Sequence, residues 1–572
     1  MRFAVPSLSK NTTRKTFYIS ICLAISSMVS AGQSTAPASA DQVMKAMNDE
    51  LNRSIVELKL NNLDKPYFIQ YVVLDEDEFA ARATFGALTQ SSPSKQRLIY
   101  TQVRVGSYDF DNSEFNAGQG GGGGGGLSQG PVDDDYDNLR HTLWLGTDGA
   151  YKSAVEVIAQ KRSAVQNRTQ DDPVPDFSKE APLVSTGQRR KLEFDRAKIE
   201  TQLRQWSQIF REFPKIQSSS VTFRARLNHR YIANSEGTRT MQPELLLILQ
   251  ATASAQADDG MTVSNSVPVY VRDFADLPSQ ETYAGAIRQM AKDLTALREA
   301  PPLASDYSGP ALLVGQAATE MFARVLAPNL TGQRGPLSRQ GQSATPPLED
   351  RLNRPILPAY MTVVDDPGIR TIGDRKLIGY YSIDDQGVPA RKLPLVDGGL
   401  LTNLLMSRRP GKGRIQSNGH GRNGYPGREA PQVSNLIITA TGGKSYEDLK
   451  KELLKTAKEE RLDYGIMIKA TNPNGNSPVG TPVLTYRVRV SDGKEELIRV
   501  AGASGLNVQG LRHIVAVGND SIASNRLVGT QGAETPTSVV APSVLVEELS
   551  LDKPSGTQQK PALMTNPFFG SN

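Results

Sequence analysis

Apolar side chains return at steps of three and four in several long stretches of the chain and alternate with polar ones in the stretches between. Val43, Met47, Leu51, Ile55 and Leu58 lie on one face of a helix drawn over residues 41–60, with Asp41 placed to cap its start. Residues 139–162 and 192–213 also read as helices, the second with a stripe of Ile199, Leu203, Trp206 and Phe210. A further helix over 279–298 aligns Tyr283, Ile287, Met290, Leu294 and Leu297 and stops before Pro301 and Pro302, which lack the amide proton a helix needs. Between these helices, residues 67–74, 98–105, 221–233 and 245–253 are rich in β-branched and aromatic residues and read as strands. Asn234, Ser235, Glu236 and Gly237 separate the last two and predict a hairpin turn.

The proline pair marks a domain boundary. The pattern predicts an α+β fold of two domains, a mixed helix and sheet domain over 41–300 and a β-rich one over 303–550. In the second, 310–314 reads as a strand, 316–326 as a helix and 330–355 as a polar, mobile loop. One clear helix follows over 446–462, opened by Ser445 with Asp448 three residues on, an acidic variant of the capping box. Strands recur at 483–490, 496–500 and 514–517. The Pro-, Gln- and Gly-rich tail over 551–572 is expected to be disordered.

Two stretches interrupt this order. Seven glycines, Gly120 to Gly126, lie in an insertion over 116–137 that ends in Asp133, Asp134 and Asp135. No Lys and Ser or Thr follow to make a phosphate loop, and the acids lack the alternating oxygens and distal Glu of a calcium loop. A flexible, solvated surface insertion is expected. At the start, Arg2, Lys10, Arg14 and Lys15 precede an apolar run over 17–29 and the small-residue site Val29, Ser30 and Ala31. This is the pattern of a secretory signal peptide over 1–31, with an uncleaved anchor as the alternative.

Cleavage at Ala31 would remove four positive charges and no negative ones, so the formal +5 would fall to +1. Nucleic acid is then not implied as a partner, and no membrane span is expected after cleavage. The same cut would remove the only cysteine, Cys22, which follows Ile21 and so lacks the small neighbour of a lipid-attachment site. A periplasmic or otherwise extracytoplasmic chain without disulfides is expected, with oxygen and imidazole as its only catalytic groups.

Three stretches taken together resemble the TldD/PmbA metallopeptidase-like family, formerly described as modulators of DNA gyrase. They are the turn from Tyr231 to Gly237; the succession Asp384-Asp385-Gln386-Gly387, Gly398 to Asn403, Asn418-Gly419-His420-Gly421-Arg422 and Ser434-Asn435-Leu436; and Gly510 to Ile514 with Val517 to Asp520. Their order and spacing carry the resemblance over about half of the chain. It implies a two-domain TldD/PmbA-like architecture and, in the family's catalytic members, a His-Glu-x-x-x-His helix whose imidazoles hold zinc and whose Glu activates water. The corresponding segment here is residues 309–328, where Ala323, Arg324 and Pro328 stand in for His, Glu and His. No histidine occurs between His229 and His420, so no shift of register restores the pair.

The likeness is therefore to the PmbA/TldE type, which lacks the metal ligands and pairs with a metal-bearing relative. It implies a homo- or hetero-oligomer that binds or processes peptides, with no cofactor of its own and zinc only in a partner subunit. Two other functions fit the residues: a metallopeptidase with unconventional ligands from Glu320, His420 and His513, and an envelope scaffold without peptidase work. His141, His229, His420 and His513 show no metal-ligand spacing. In Asn418, Gly419, His420, Gly421 and Arg422, glycines admit a close ligand and Arg422 is suited to a carboxylate; a peptide-contacting loop and a plain surface turn both fit. The pairs Asp365-Asp366 and Asp384-Asp385 adjoin Pro367 and Gly387 and read as solvated turn residues.

Overall fold

The alternation of side chains along two long antiparallel hairpins organises the N-terminal half. The computed structural model describes residues 41–59, 63–116, 124–166, 174–339, 342–473, 477–529, 533–554 and 568. In chain order this half contains α1 (Gln42–Glu57), β1 (Pro66–Thr84), β2 (Ala87–Val105), β3 (Gly125–Gln129), α2 (Tyr136–Val165) and β4 (Val184–Thr186). These are followed by α3 (Arg196–Gln208), β5 (Ile216–Asn234), β6 (Arg239–Gln256), β7 (Thr262–Val271) and α4 (Gln280–Glu299). The strands form one sheet in the order β3-β2-β1-β5-β6-β4, with β7 added on β6.

Odd-numbered residues of β1 and β5 face the helices. Ile69, Tyr71, Val73, Tyr231 and Ala233 pack with α1 and α2, while Phe79, Ala81, Ala83, Val221, Phe223 and Ala225 pack with α3 and α4. The period of two sends Arg224, Arg226 and Arg230 to the other face, toward the C-terminal half. There Arg224 and Arg226 hold the two oxygens of Glu534 at 2.6 and 2.8 Å. The hairpin turn docks on the same half, where Glu236 accepts a bond from the buried Arg408 at 2.8 Å.

The C-terminal half stacks two sheets. One runs 400–401, 393–397, 361–365, 435–440, 535–541 and 522–528; the other runs 495–498, 481–489, 464–472, 307–313, 544–552 and 502–504, with 514–517 on 544–552. Strand β8 (Tyr307–Leu313) lies at the centre of the second sheet. Its Ala311 and Leu313 join the large core shared by the sheets, while Leu312 turns out to meet Leu449 and Leu453 of helix Tyr446–Glu459. Ser445 caps that helix by accepting from the Asp448 amide at 3.2 Å.

Three expectations change. The strands of the first long hairpin run well past 74 and begin well before 98, because charged positions that look solvated in sequence are paired across the sheet: Asp75 with Arg97 at 2.9 Å, Glu76 with Gln96 at 2.7 Å. The insertion over 116–137 is in its described part no free loop. Its last glycines open β3, which pairs with β2, Asp134 binds Arg97 at 2.7 Å and Arg189 at 2.6 Å, and Asp135 caps α2. The helix expected over 316–326 is α-helical only in α5 (Gln316–Met321), then widens to a π turn at Phe322–Leu326 and tightens at Ala327–Asn329, where Pro328 ends it. The segment 330–355 is irregular where described, with a single short turn at Glu349–Arg351. The signal-like segment 1–31, residues 117–123 and most of the tail lie outside the described residues, and the strand Val544–Asp552 covers the first residues of the expected tail.

Among the described residues, no helix is long and apolar enough to cross a membrane.

Candidate functional site

Helix α5 follows β8 through Gly315, whose positive φ of +53° turns the chain sharply into the helix. The helix buries Ala317, Ala318 and Met321 in the core and turns Gln316, Thr319 and Glu320 toward a cavity also lined by Tyr270, Ser524 and Arg526. Gln316 fixes the helix to the neighbouring strand like a piece of backbone, donating to the Thr471 carbonyl at 3.0 Å and accepting from its amide at 2.8 Å. Thr319 adds a 2.7 Å hydroxyl bond to Ser524.

Glu320 is the acid of this cavity's helix, and it is occupied. One oxygen accepts from Arg324 one turn on, and the other meets Arg526 at 3.2 Å. Arg324 also reaches the Pro473 carbonyl. A carboxylate held between two guanidinium groups has its lone pairs satisfied and its charge overbalanced. The resemblance implies a zinc ion on this helix in catalytic members, and this donor set does not fit one: a single carboxylate flanked by two fixed cations opposes a dication. Ala323 and Arg324 sit in the π turn and Pro328 in the closing turn, so the three stand-in positions are not even at α-helical spacing. Among the described residues no group of three His, Cys, Asp or Glu side chains is arranged to hold a metal.

The four histidines go to four places. His141 lies 5.5 Å from the Trp144 ring in a tilted arrangement, His229 accepts the Arg190 amide at 3.0 Å, and exposed His513 meets Glu547 at 3.1 Å. His420 is wholly buried. Its Nε2 lies 3.0 Å from Asp365 Oδ2, and its Nδ1 lies 3.0 Å from both the carbonyl and the side-chain oxygen of Asn418. The Asn418 amide orientation is fixed by the Met406 amide at 2.8 Å and the Leu404 carbonyl at 2.9 Å, so both ring nitrogens face acceptors. Asp365 is further bound by the amide and hydroxyl of Ser434. This cluster ties the 418–422 turn to the core.

Neither aspartate pair is solvated. Asp365 and Asp384 are fully buried, Asp366 and Asp385 nearly so. Asp384 accepts the amides of Gln386, Val388 and Gly421 at 2.8 to 3.0 Å, closing a turn at Gly387, where φ is +82°. Burial raises its carboxyl to about 7, helped by the charge of Asp385 and opposed by those amides. Asp385 points the other way, to Arg422 Nε at 3.3 Å, the Asn423 amide at 2.8 Å and Arg230 at 3.4 Å. Of the predicted loop residues, Asn418 and His420 serve the fold, Gly419 and Gly421 permit close backbone contacts, and Arg422 lines a cavity. Its carboxylate partner is internal. Of the cavity's other arginines, Arg230 on β5 and Arg272 just past the end of β7 were missed by sequence reading, since both are far in sequence from 418–422 and only tertiary packing gathers them.

Residues 304–553 match the family model of the PmbA/TldA metallopeptidase C-terminal domain. The fold is shared with solved structures. A Thermotoga maritima protein described as a modulator of a DNA gyrase superposes with a TM-score of 0.54 at 18% identity, covering 88% of this chain and 99% of that one. TldE of Thermococcus kodakarensis gives 0.53 at 14% identity, covering 89% and 100%. Among curated proteins, a metalloprotease of Methanothermobacter thermautotrophicus is 22% identical over 58% of this chain and 69% of its own length. A second, from Methanocaldococcus jannaschii, is 27% identical over 33% of this chain, which spans 40% of that relative. The second half of the chain is thus a metallopeptidase-type C-terminal domain on the fold of TldE. Its C-terminal domain, residues 304–553, belongs to the TldD/PmbA family.

Proposed function

We propose that this chain is a non-catalytic TldD/PmbA member, exported from the cytoplasm, that serves as a subunit or peptide-binding component of a peptide-processing assembly. The observation that carries the reading is the ion triad of α5: Glu320 is locked between Arg324 and Arg526 on the helix that would have to supply the zinc ligands and the base. Without a His-Glu-x-x-x-His sequence and with His420 held by Asp365, no imidazole pair is left for a metal. A partner with the intact motif would then supply the zinc, and this chain part of the enclosure. Export rests on the charged and apolar N-terminal pattern ending at Ala31.

Metal content and peptidase activity of the purified chain test this, alone and mixed with a family relative that carries the motif. The expected result is no stoichiometric zinc and no chelator-sensitive cleavage alone, with activity or altered specificity in the mixture. Stoichiometric zinc and chelator-sensitive cleavage by the chain alone would falsify it. N-terminal sequencing of the protein recovered from its native compartment should begin close after Ala31; a chain still starting at Met1 removes the export signal reading.

A further inference from the structure

The cavity beside Arg422 has an unfilled need for an anion. It encloses about 500 Å³ between β5, β6 and Arg272 on one side and the segment 366–392 with Arg422 on the other. Five cationic side chains and three carboxylates line it, an excess of two positive charges. The internal pairs are definite: Arg272 binds Glu244 at 2.7 Å, and Arg230 and Arg422 share Asp385. So strongly do Arg272, Arg422 and Arg230 act on Glu244 that, although burial alone would raise its carboxyl, they hold it down at about 2.

Two guanidinium nitrogens remain. Nη1 of Arg422 and Nη1 of Arg230 are buried and hydrogen-bond to no described protein atom, although both side chains are more than nine-tenths buried. The rest of each group is fixed: Arg230 Nη2 donates to the Asn423 carbonyl at 3.0 Å, and Arg422 lies over the ring of Tyr381 at 4.1 Å. Buried, immobilised N–H donors without an acceptor are unfavourable, and their planar fork suits a carboxylate. Exposed Arg370 and Lys392 add positive charge to the same cavity.

We propose that this cavity binds the carboxylate of a peptide, attracted by its excess positive charge and hydrogen-bonded by Arg230 and Arg422 once a small shift brings their buried, unpaired nitrogens to the cavity. The inference rests on the peptide-binding part of the proposed function and adds the chemical group recognised. Its size is in the range of small-ligand sites, with room for a chain end or an acidic side chain and its neighbours.

Fluorescence polarisation with short N-terminally labelled peptides tests it on the whole mature chain. Three probes are compared: a peptide with a free C-terminal carboxylate, its C-terminal amide, and the amide with one internal Asp. The free acid, the Asp-bearing amide or both should bind, with the plain amide weaker by about 10-fold or more. Arg422→Lys keeps the charge but loses the fork and should weaken binding about 10-fold with unchanged circular dichroism. The double variant Arg370→Glu with Lys392→Glu, both exposed, should lower affinity most at low salt. Equal binding of acid and amide overturns the inference while leaving peptide binding intact, as does displacement of the probe by inorganic phosphate more readily than by acetate. Failure of all three peptides to bind overturns the peptide reading as well.

Discussion

On α5, one carboxylate, Glu320, is shared by two arginines, and each charged group finds a partner on its own helix or an adjacent segment. Across the 384–422 turns, arginines outnumber the carboxylates they reach, and two of their nitrogens are buried without a partner. Both clusters are made of the same residue types at similar depth. They differ in degree: among the described residues, on α5 only the guanidinium nitrogen Arg526 Nε is buried without a partner, whereas the turn cluster has two such nitrogens beside a cavity with an excess of positive charge, which makes it the more incomplete set of bonds.

Removing one arginine from each cluster tests the contrast most strongly. Arg422→Ala leaves Asp385 and Glu244 with less compensation in a buried site and should cost about 3–5 kcal/mol in a urea melt. Arg526→Ala leaves Glu320 paired with Arg324 and should cost about 1–2 kcal/mol. The opposite order would mean that α5, not the turn cavity, is the electrostatically strained region.

The His420 and Asp365 pair anchors the same turn from the core side. Asp365→Asn and His420→Ala should each destabilise by about 2–3 kcal/mol, with a coupling of about 1.5 kcal/mol or more in the double-mutant cycle. Additive losses would show that the two side chains hold the turn independently. Gly387→Ala comes next. Its φ of +82° and a Thr238 methyl 2.9 Å from the added Cβ predict a loss of about 1–2 kcal/mol. A neutral substitution there would mean that the turn relaxes away from the N-terminal half.

Titration gives effects of opposite sign at the two acids. Glu244 is held at about 2, below its ordinary 4.5, so its contribution is present above about pH 4.5 and lost as pH falls through about 2. Asp384 is raised from 3.8 to about 7, so its contribution is present below pH 3.8 and lost as pH rises through about 7. Denaturant midpoints against pH should flatten in the acid window for Glu244→Gln and between about pH 4 and 7 for Asp384→Asn. Unchanged profiles would remove these two groups as the source of pH dependence.

Much of the fold was legible in the sequence. The stripes of α3 with the 3-10 turn after it, Ile199, Leu203, Trp206 and Phe210, and of α4, Tyr283, Ile287, Met290, Leu294 and Leu297, are all buried in one cluster. The Asn234 to Gly237 hairpin and the Ser445 cap also came out as expected. Strand ends did not, since the run Asp75 to Glu78 looks like solvated chain until Arg97, Arg224 and Arg226 are brought beside it.

By itself the sequence determined which stretches are helix or strand, that no two histidines stand at zinc-binding spacing, and that Arg422 sits in a glycine-rich turn. Periodicity and motif spacing are local, and burial follows from them. Only the tertiary structure decided what the charges do. Asp365 meets a histidine 55 residues on, and Glu320 an arginine 206 residues on. Whether an aspartate is a solvated turn or a buried anchor, and whether an arginine is spent or free, depends on which distant segment lands on it, and no local pattern encodes that.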